Sequence, residues 1–419
     1  MNGASPPAAA AHVRFLGSRR AYWRLQLRGA FLLLVTLGIY RFWLATDIRR
    51  FLWSNTEVAG DTLEYYGTPL ELLVGFLFAI AILIPIYSLF FLAALDLGVI
   101  GQFSGLIAFV SLFWLGQYAV FRARRYRLTR TIYRGIRFHQ SGAPWRYAFR
   151  ATAWWGLTFL TLGLAYPFQI ASLERYKLRN THYGDLSGRF EGTGWRLFLR
   201  GLPLWLAVII PIGLALGSLI ATINFTVLGD ALAENADDIL SRLAPASPGL
   251  AIAVVFALAM VLVAFLFGLI LYPLFQALLV RWWSSGLRFG ALAVVSRLRT
   301  GQVYGAYARF IAWALLFCIA LGLLIAPTMF ALDYITTRIG ASPVMRELLG
   351  TAALLGGYVF AALGFSTIYR STVIFSLWQL GMNALELSDT SQLETVKAAG
   401  TPSSAIGEGL ADALHVGGL

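Results

Sequence analysis

The feature that most constrains this chain is an internal repeat. Residues 32–72 align with residues 157–197 without a gap, at a constant offset of 125 residues. The identical pairs are Thr36/Thr161, Leu37/Leu162, Gly38/Gly163, Arg50/Arg175, Asn55/Asn180, Thr56/Thr181, Gly67/Gly192 and Thr68/Thr193. Repetition at a fixed spacing means that one structural unit is used more than once, so any fold proposed for this chain has to contain that unit at least twice.

Composition indicates that the repeats belong to a membrane protein. Of the 419 residues, 58% are hydrophobic and 13% are charged. Soluble domains average roughly 25% charged residues, so this chain could not cover a water-facing surface with polar groups. The single cysteine, Cys318, lies within an apolar run. It excludes an intramolecular disulfide and a multi-cysteine metal site.

Six apolar segments are long enough to cross a bilayer, whose hydrocarbon core requires roughly 20 residues of helix. They are residues 70–95, 103–121, 197–224, 249–280, 303–330 and 348–380. The repeated stretches, residues 22–53 and 147–178, are also apolar in the middle. Length alone therefore does not decide between six and eight spans.

Arginines on both sides of each repeated stretch favour six spans. Lys and Arg concentrate on the cytoplasmic flanks of membrane spans. The first stretch has five arginines among residues 14–28 and three among residues 41–50, and the second stretch is flanked in the same way. A single crossing would place one of the basic clusters outside. We therefore expect each stretch to dip into the membrane, turn near Gly38 or Gly163, and return to the same side.

This topology predicts that both termini are cytoplasmic. The loops on the other side carry three of the 33 Lys and Arg residues, namely Arg242, Arg338 and Arg346. One pattern conflicts with it, because five residues between 309 and 323 match residues between 150 and 164 at an offset of 159. The segment 303–330 is then either a full span or a third dipping unit, and we retain it as a span.

Each dip is followed by a polar strip that is typical of a β-hairpin. Gly60-Asp61 and Gly184-Asp185 each stand beside a short alternating run that is closed by a glycine. Related strips begin at Gly135 and Gly286. Isolated hairpins are only marginally stable, so we expect two or more of these to pair into a small sheet at the cytoplasmic face.

The sequence therefore predicts an all-α polytopic membrane protein with internal repeats. It would have about six full transmembrane helices, two re-entrant or interfacial helical units and short cytoplasmic β-hairpins. The expected organisation is a disordered N-terminus at 1–13, membrane repeats at 14–135 and 136–285, a diverged third repeat at 286–387, and a disordered tail at 388–419. The first two repeats each contain a dipping unit, a hairpin and a helix pair.

The motifs around the first dip resemble a known family. They are Thr36-Leu37-Gly38-Ile39-Tyr40-Arg41-Phe42-Trp43, Arg49-Arg50-Phe51, Asn55-Thr56, Gly60 and Tyr65-Tyr66-Gly67-Thr68. This combination is similar to the YjgN-like bacterial inner-membrane proteins, which are defined by a domain of unknown function. The resemblance covers about residues 13 to 387 and implies a multi-pass protein of the bacterial inner membrane with no established activity. The second copy departs from the motif, with Ala165-Tyr166-Pro167-Phe168 in place of Tyr40-Arg41-Phe42-Trp43.

No pattern in the sequence indicates catalysis or a cofactor. The histidines at positions 12, 139, 182 and 415 do not have the spacing of metal ligands. Ser366 lacks a placed histidine and acid, and Cys318 lies where a thiol would stay un-ionised. We therefore expect a protein that is not an enzyme and that holds neither a metal nor a cofactor.

Polar groups in or beside the apolar segments are the candidates for a functional site, because an ionisable group at membrane depth is costly unless it is paired or functional. The candidates for a solute or coupling site are Asp47, Glu174, Tyr40, Arg41 and Glu71. Structural roles compete with this hypothesis. Both Asp47 and Glu174 lie three residues before a basic residue, which is the spacing of an ordinary ion pair on a helix surface.

The identical residues of the repeat are expected to be structural. Asn55 and Thr56, with their copies Asn180 and Thr181, are expected to cap helices or to hold the hairpin turn. The glycines of the repeat are expected to permit sharp turns or close helix packing.

The basic character of the chain predicts a lipid surface as its partner. The net charge is +13, and juxtamembrane Lys and Arg contribute roughly 1 kcal/mol each beside anionic lipid. We expect Arg122, Arg124, Arg125 and Arg127 to contact anionic headgroups. Charge alone also suits nucleic acid, but these arginines flank spans, so we expect no nucleic acid partner.

Three functions remain open. The first is a transporter or permease of a small or amphipathic solute, because broken, repeated apolar segments surround the substrate site in known transporters. The second is a non-catalytic scaffold or lipid-organising protein, and the third is a subunit that serves a partner such as a membrane protease. Transport predicts a polar cavity between the dipping units with Asp47 or Glu174 in it. A scaffold predicts a solid core with a groove on the lipid side. The prediction favours transport.

Overall fold

The computed structural model describes residues 11–96, 98–233, 243, 245–399 and 412. Within these ranges the chain forms ten short strands and twelve α-helices. The expectations for Arg242, for residues 1–10 and for most of the C-terminal tail lie outside the described residues.

The strands are three to five residues long. They are β1 (Ala11–Phe15), β2 (Thr56–Val58), β3 (Asp61–Tyr65), β4 (Thr131–Tyr133), β5 (Ile136–Gln140), β6 (Thr181–Tyr183), β7 (Leu186–Phe190), β8 (Leu287–Phe289), β9 (Leu292–Ser296) and β10 (Leu385–Ser388).

The described helices lie between these strands, two in each of the first three intervals and three in each of the last two. They are α1 (Arg19–Val35), α2 (Arg41–Ser54), α3 (Pro69–Asp96), α4 (Gly98–Thr129), α5 (Pro144–Leu160), α6 (Tyr166–Arg179), α7 (Gly194–Thr222), the short α8 (Phe225–Ala233), α9 (Leu250–Ser285), α10 (Thr300–Arg338), α11 (Pro343–Tyr369) and α12 (Phe375–Asn383). A π-helical turn (Arg370–Ile374) joins α11 to α12, and a 3₁₀ turn (Thr390–Glu394) follows β10.

The ten strands close into an antiparallel barrel in chain order. Four tight hairpins connect β2 to β3, β4 to β5, β6 to β7 and β8 to β9. The first and last strands complete the ring, with Ala11 opposite Leu387. Closure leaves no unpaired strand edge, which explains how strands of only three residues persist.

The two faces of the barrel wall differ sharply in polarity. The register puts apolar and aromatic side chains on the inner face, including the buried Val13, Tyr133, Tyr183, Val294 and Leu387. The alternate positions, on the outer face, carry mostly polar and charged side chains, such as Arg14, Glu57, Arg137, Arg288 and Glu386. A membrane barrel has an apolar outer face, so this barrel belongs in water.

Each group of helices lies between two strands, one that precedes it and one that follows it in the chain. The chain is therefore five consecutive units of strand, helical hairpin and strand: unit 1 (residues 11–58), unit 2 (61–133), unit 3 (136–183), unit 4 (186–289) and unit 5 (292–388). Because neighbouring strands are antiparallel, all five helical hairpins leave from one end of the barrel. The four hairpin turns and both chain ends of the barrel lie at the other end.

Three units are long and two are short. Units 2, 4 and 5 supply six helices that are long and apolar enough to cross a membrane, which confirms the predicted number of spans, with residues 303–330 among them. Units 1 and 3 have helices of 17 and 14 residues. A 17-residue helix is about 26 Å long, and its first turns are basic, so it falls short of the roughly 30 Å hydrocarbon core.

The short hairpins turn where the sequence predicts. Leu37 and Gly38 have φ of 50° and 91°, and Leu162 and Gly163 have φ of 50° and 93°. The tip of the first turn is apolar, with Leu37 93% exposed, which suits lipid. Insertion of these tips into a membrane stays a prediction.

The threonine of the repeat fastens both turns in the same way. The Thr36 hydroxyl donates to the carbonyl four residues earlier (2.7 Å) and accepts from the amide four residues later (3.0 Å). The Thr161 hydroxyl makes the two equivalent bonds, at 2.8 and 3.1 Å. Such local bonds between a threonine side chain and the backbone stabilise turns. Thr36 and Thr161 are therefore turn residues in this fold, and neither is among the residues that line the grooves and pockets described below.

The predicted fold class was wrong in one respect. The expected all-α fold with isolated short hairpins is replaced by a closed ten-stranded barrel that carries the helices. The hairpin signals were correctly placed, but closure depends on pairing between residues 11–12 and 386–387, which no local pattern reveals. β1 also begins within the N-terminal segment expected to be disordered. The first two expected repeats each contain one short and one long unit, and the third contains a long unit.

Candidate functional site

The residues expected to form a solute site are distributed over three units. Tyr40, Arg41 and Asp47 lie in unit 1, Glu71 in unit 2 and Glu174 in unit 3. Strand order places units 1 and 3 two positions apart in the ring. The five residues are therefore not brought together around one cavity between the two short hairpins.

The three acids differ in their surroundings. Glu71 receives two hydrogen bonds from Arg130 (3.2 and 2.9 Å) and one from the Tyr126 hydroxyl (2.6 Å). Glu174 is paired with Lys177, as its spacing predicted, and accepts a hydrogen bond from Trp283 Nε1 (3.0 Å). Both acids thus have the partners of structural ion pairs.

Asp47 lies in a more open place. It lines a cleft of about 420 Å³ on unit 1 with Tyr40, Arg24, Arg28 and Arg50. The Tyr40 hydroxyl is 3.5 Å from the Asp47 carboxylate. This cleft combines three cations with one anion on the exposed side of the first hairpin.

The repeated polar residues close helices and connect them to strands, as expected. The Asn55 and Asn180 amides donate to carbonyls four residues earlier (2.8 and 2.6 Å). The hydroxyls of Thr56 and Thr181 do the same (both 2.7 Å). These bonds satisfy carbonyls that the helix end leaves free.

The repeated pairs Gly67/Gly192 and Thr68/Thr193, which follow the hairpins, also have structural roles. A Cβ at Gly67 or Gly192 would lie 2.6 or 2.5 Å from the ring of the aromatic residue two positions earlier. Thr68 accepts from the Glu71 amide at the start of α3 (3.4 Å), and the Thr193 carbonyl accepts from Trp282 Nε1 (3.0 Å).

The four arginines expected at lipid headgroups divide into two groups. Arg124 donates to Gln140 Oε1 (3.0 Å) and Thr181 Oγ1 (2.8 Å), which face the barrel interior, and the Arg127 side chain is 13% exposed. These two join the helices to the barrel. Arg122 contacts Tyr118, and Arg125 contacts the Gly142 carbonyl near the surface. Contact of these two arginines with lipid headgroups stays a prediction.

An apolar groove opens toward the lipid at the seam between unit 1 and unit 5. It has a volume of about 560 Å³ and is lined by one face of α1 and by α10 and α11. Trp23 and Trp313 lie at one end, with ring centroids 5.8 Å apart. Gly364 is required beside it, because a Cβ there would lie 2.1 Å from the Phe317 ring. The groove has the size of sites that bind small apolar ligands.

A small polar pocket adjoins this seam groove. It has a volume of about 70 Å³, and Ala30, Leu363 and Thr367 line both spaces. The pocket also has Gln26, Arg41, Ser366 and Arg370 in its wall, and no acid among the described residues that line it. Gln26 is 2% exposed, and its Nε2 makes no hydrogen bond to the described chain. Arg370 begins the π-helical turn, a feature that often marks functional sites.

Further arginines make the seam electropositive. Arg19 and Arg309, from units 1 and 5, both donate to the Ser376 hydroxyl (3.1 and 3.4 Å). Burial and the charge of Arg309 lower the pKa of Arg19. The seam thus carries Arg19 and Arg309 beside Ser376. Arg370 and Arg41 lie in the wall of its polar pocket, and the Arg41 guanidinium also stacks over the Phe42 and Phe76 rings. Such a concentration of cations attracts an anion.

A second apolar groove, beside unit 3, provides an internal comparison. It has a volume of about 500 Å³ and lies between α5, α6, α7 and α9. In the repeat alignment Tyr166 replaces Arg41 and Ala151 replaces Gln26. Thr158 uses its hydroxyl to bind Gln169 (2.7 Å). No charged side chain is present among the described residues of this groove.

The barrel also brings together two histidines that the sequence scatters. His139 on β5 is directly opposite His182 on β6, and their rings stack with centroids 4.8 Å apart. The two histidines are 43 residues apart in the sequence, so sequence reasoning did not pair them. It did recognise the two polar hairpin segments that contain them. Within the described ranges no group of three or more His, Cys, Asp or Glu could hold a metal.

We expect the histidine pair to make the barrel less stable in acid. Burial and the neighbouring His182 lower the pKa of His139. The unfolded chain therefore takes up this proton first, so stability is complete above the ordinary pKa of about 6.5 and falls as the pH drops through it. The apparent unfolding temperature should fall less on acidification in His139→Gln than in wild type. An unchanged slope in His139→Gln would contradict the assignment.

Comparison with known proteins identifies a family. The sequence model of the family described as "Bacterial protein of unknown function (DUF898)" matches residues 10–413. The match confirms the resemblance expected from the motifs. No curated protein and no solved structure matches the chain.

Proposed function

Because this chain belongs to the DUF898 family of bacterial proteins of unknown function, we infer its role from its geometry and propose that it binds an anionic lipid at the seam between units 1 and 5. The observation that supports this proposal is the continuity of the seam groove with the arginine-lined pocket through Ala30, Leu363 and Thr367. The proposal also takes the barrel to be cytoplasmic, beneath the bacterial inner membrane, because arginines surround its helical end.

The two spaces match the two parts of an amphiphile. The groove is apolar and open to the lipid along α1 and α10, as an acyl chain requires. The pocket offers Arg41, Arg370 and the buried side-chain amide of Gln26. Guanidinium groups bind carboxylate or phosphate oxygens through paired N–H donors. Arginines at this depth are costly unless an anion or a polar group compensates them.

This geometry favours the lipid-organising hypothesis over transport. Transport required a polar cavity between the short hairpins with Asp47 or Glu174 in it, whereas Asp47 lines a cleft on unit 1 and Glu174 is paired within unit 3. A lipid-organising protein required a groove on the lipid side, and the two apolar grooves at the outer surface of the helices support this hypothesis. We propose a non-catalytic role, in which bound lipid joins the first and last units of the ring.

The test is lipid-dependent stabilisation of the purified protein. Phosphatidylglycerol and oleate should each raise its apparent unfolding temperature, and phosphatidylcholine should do so much less. Arg41→Gln should weaken the affinity for both anionic lipids by roughly tenfold or more, because a charge-assisted hydrogen bond contributes about 1.5–3 kcal/mol. Arg41→Lys should lose part of this affinity, since it keeps the charge but not the paired donors.

The repeat supplies the control. Tyr166→Gln alters the aligned position of unit 3, where no arginine is present, and should leave the response to phosphatidylglycerol unchanged. Equal stabilisation of wild type and Arg41→Gln would refute the proposed site. Stabilisation by oleate alone would identify a carboxylate rather than a phosphate as the preferred head.

A further inference from the structure

The interior of the barrel ends in a cluster of arginines at the side from which the helices leave. We call this end the membrane-facing mouth and define it by Tyr65, Gln140 and Thr181, the inward-facing residues nearest the helices on β3, β5 and β6. Arg49 from α2 donates to the Tyr65 hydroxyl (3.1 Å), and Arg124 from α4 donates to Gln140 and Thr181. Cations from two units therefore cover the mouth.

One carboxylate from the C-terminal region lies among them. Asp412 is 2% exposed. Arg49 binds it with both terminal nitrogens, with Nη2 3.0 Å from Oδ1, and Arg127 Nε lies 3.5 Å from the same oxygen. Burial lowers the pKa of Arg49, but Asp412 and Tyr65 raise it above its ordinary value. A fork of this kind is the strongest recognition of a carboxylate that arginine makes.

The position of Asp412 is unexpected for a residue that follows β10. That strand ends at the opposite end of the barrel, beside the hairpin turns. There, Gln392 accepts from the Ala291 amide (2.9 Å), and Lys397 exchanges two hydrogen bonds with Asp185 (both 3.1 Å). A strand of five residues rises about 17 Å, so the chain between Lys397 and Asp412 is long enough to reach from one end of the barrel to the other.

We propose that the membrane-facing mouth is a carboxylate-binding site whose ligand is the C-terminal segment of the chain itself. The site is built by folded elements, since Arg49, Arg127 and Tyr65 lie on α2, α4 and β3. The ligand arrives from the end of the chain. Buried arginines need a counter-charge, and the described residues in direct contact with Arg49 include one acid, Asp412. Asp412 thus joins units 1 and 2 at the mouth through Arg49 and Arg127.

Chemical rescue in the full-length protein tests this site. Asp412→Ala should lower the apparent unfolding temperature by about 5 °C, because it leaves a buried cation without its partner. Sodium formate, titrated against sodium chloride at matched ionic strength, should restore most of that loss by placing a free carboxylate at Arg49. Glu394→Ala removes the same charge from an exposed position and should change neither the temperature nor the formate response.

A second measurement uses the ligand itself. A peptide with the sequence of residues 405–419 should bind the full-length Asp412→Ala protein, and the same peptide with Asp412→Asn should bind at least tenfold more weakly. The peptide with Glu408→Gln is the charge-matched control and should bind like the wild-type peptide. Unfolding of Asp412→Ala at the wild-type temperature would overturn the proposal. A loss of stability that formate and peptide both fail to restore would also overturn it, because the pair would then be a fixed ion pair rather than a binding site.

Discussion

Replacing Val294 by lysine is expected to abolish the folded protein, whereas the same change at the neighbouring Val295 is expected to be nearly silent. Both valines lie on β9 in adjacent positions. Val294 faces the barrel interior, is 5% exposed and packs with Val13, Leu292 and Leu387. Val295 faces outward and is 49% exposed. Placing a charge in an apolar interior costs several kcal/mol, which is a large part of the stability of a typical domain.

The outer position should accept lysine for a specific reason. Val295 is the register partner of Glu386 on β10, so Val295→Lys places opposite charges across the strand pair, an arrangement that is neutral or slightly stabilising. The measurement is the yield of monodisperse protein from membranes, followed by its apparent unfolding temperature. We expect no monodisperse Val294→Lys protein and a change of about 2 °C or less for Val295→Lys. Similar behaviour of the two variants would contradict the assignment of the barrel faces.

Single-cysteine labelling should place the barrel and the long loops on opposite sides of the membrane. In a Cys318→Ser background, a cysteine at Asp61, in a barrel hairpin, should react with an impermeant maleimide only after the cytoplasmic side is opened. A cysteine at Arg338, at the end of α10, should react in intact cells. The difference in labelling between the two positions should be all or none. Each helical hairpin starts and ends at the same end of the barrel, so the whole barrel lies on one side of the membrane.

The same experiment tests the short hairpins. A cysteine at Arg20, at the start of α1, should label from the same side as Asp61, since α1 begins next to the barrel and Asp61 lies in the barrel. Labelling of these two positions from opposite sides would mean that α1 and α2 together cross the membrane an odd number of times. The five-unit ring would then be incompatible with the topology.

The repeat detected in the sequence belongs to a larger pattern that the sequence conceals. Units 1 and 3 have helices of the same lengths, 17 and 14 residues, so their residues align at one offset. Units 2, 4 and 5 have helices of 27 to 39 residues. An alignment with a constant offset fails when the inserted helices differ in length, although the strands at their ends are related. The five-unit ring therefore appears only when strand pairing is known.

The candidate site was less accessible to sequence reasoning than the fold. Arg41 was identified, because an ionisable group at membrane depth is costly unless it is paired or functional. Gln26 and Arg370 become its neighbours only because α1 packs against α11. Asp412 lies in a segment whose composition is that of a solvated tail. Its role depends on two arginines from α2 and α4, and nothing in the adjacent sequence indicates them.

Hydrophobic length, arginine placement and glycine-marked turns by themselves were enough to predict six helices that are long and apolar enough to cross a membrane, two sharp turns at Gly38 and Gly163, and the positions of the β-hairpins. These properties are local, because a helix or a turn responds mainly to its own residues and to the solvent around it. Only the tertiary structure decided that the hairpins close into a barrel, that the first and last units meet at an electropositive seam, and that Asp412 lies at the mouth. Each of these depends on contacts between residues that are hundreds of positions apart, and their free energy exists only after the chain has brought both partners together.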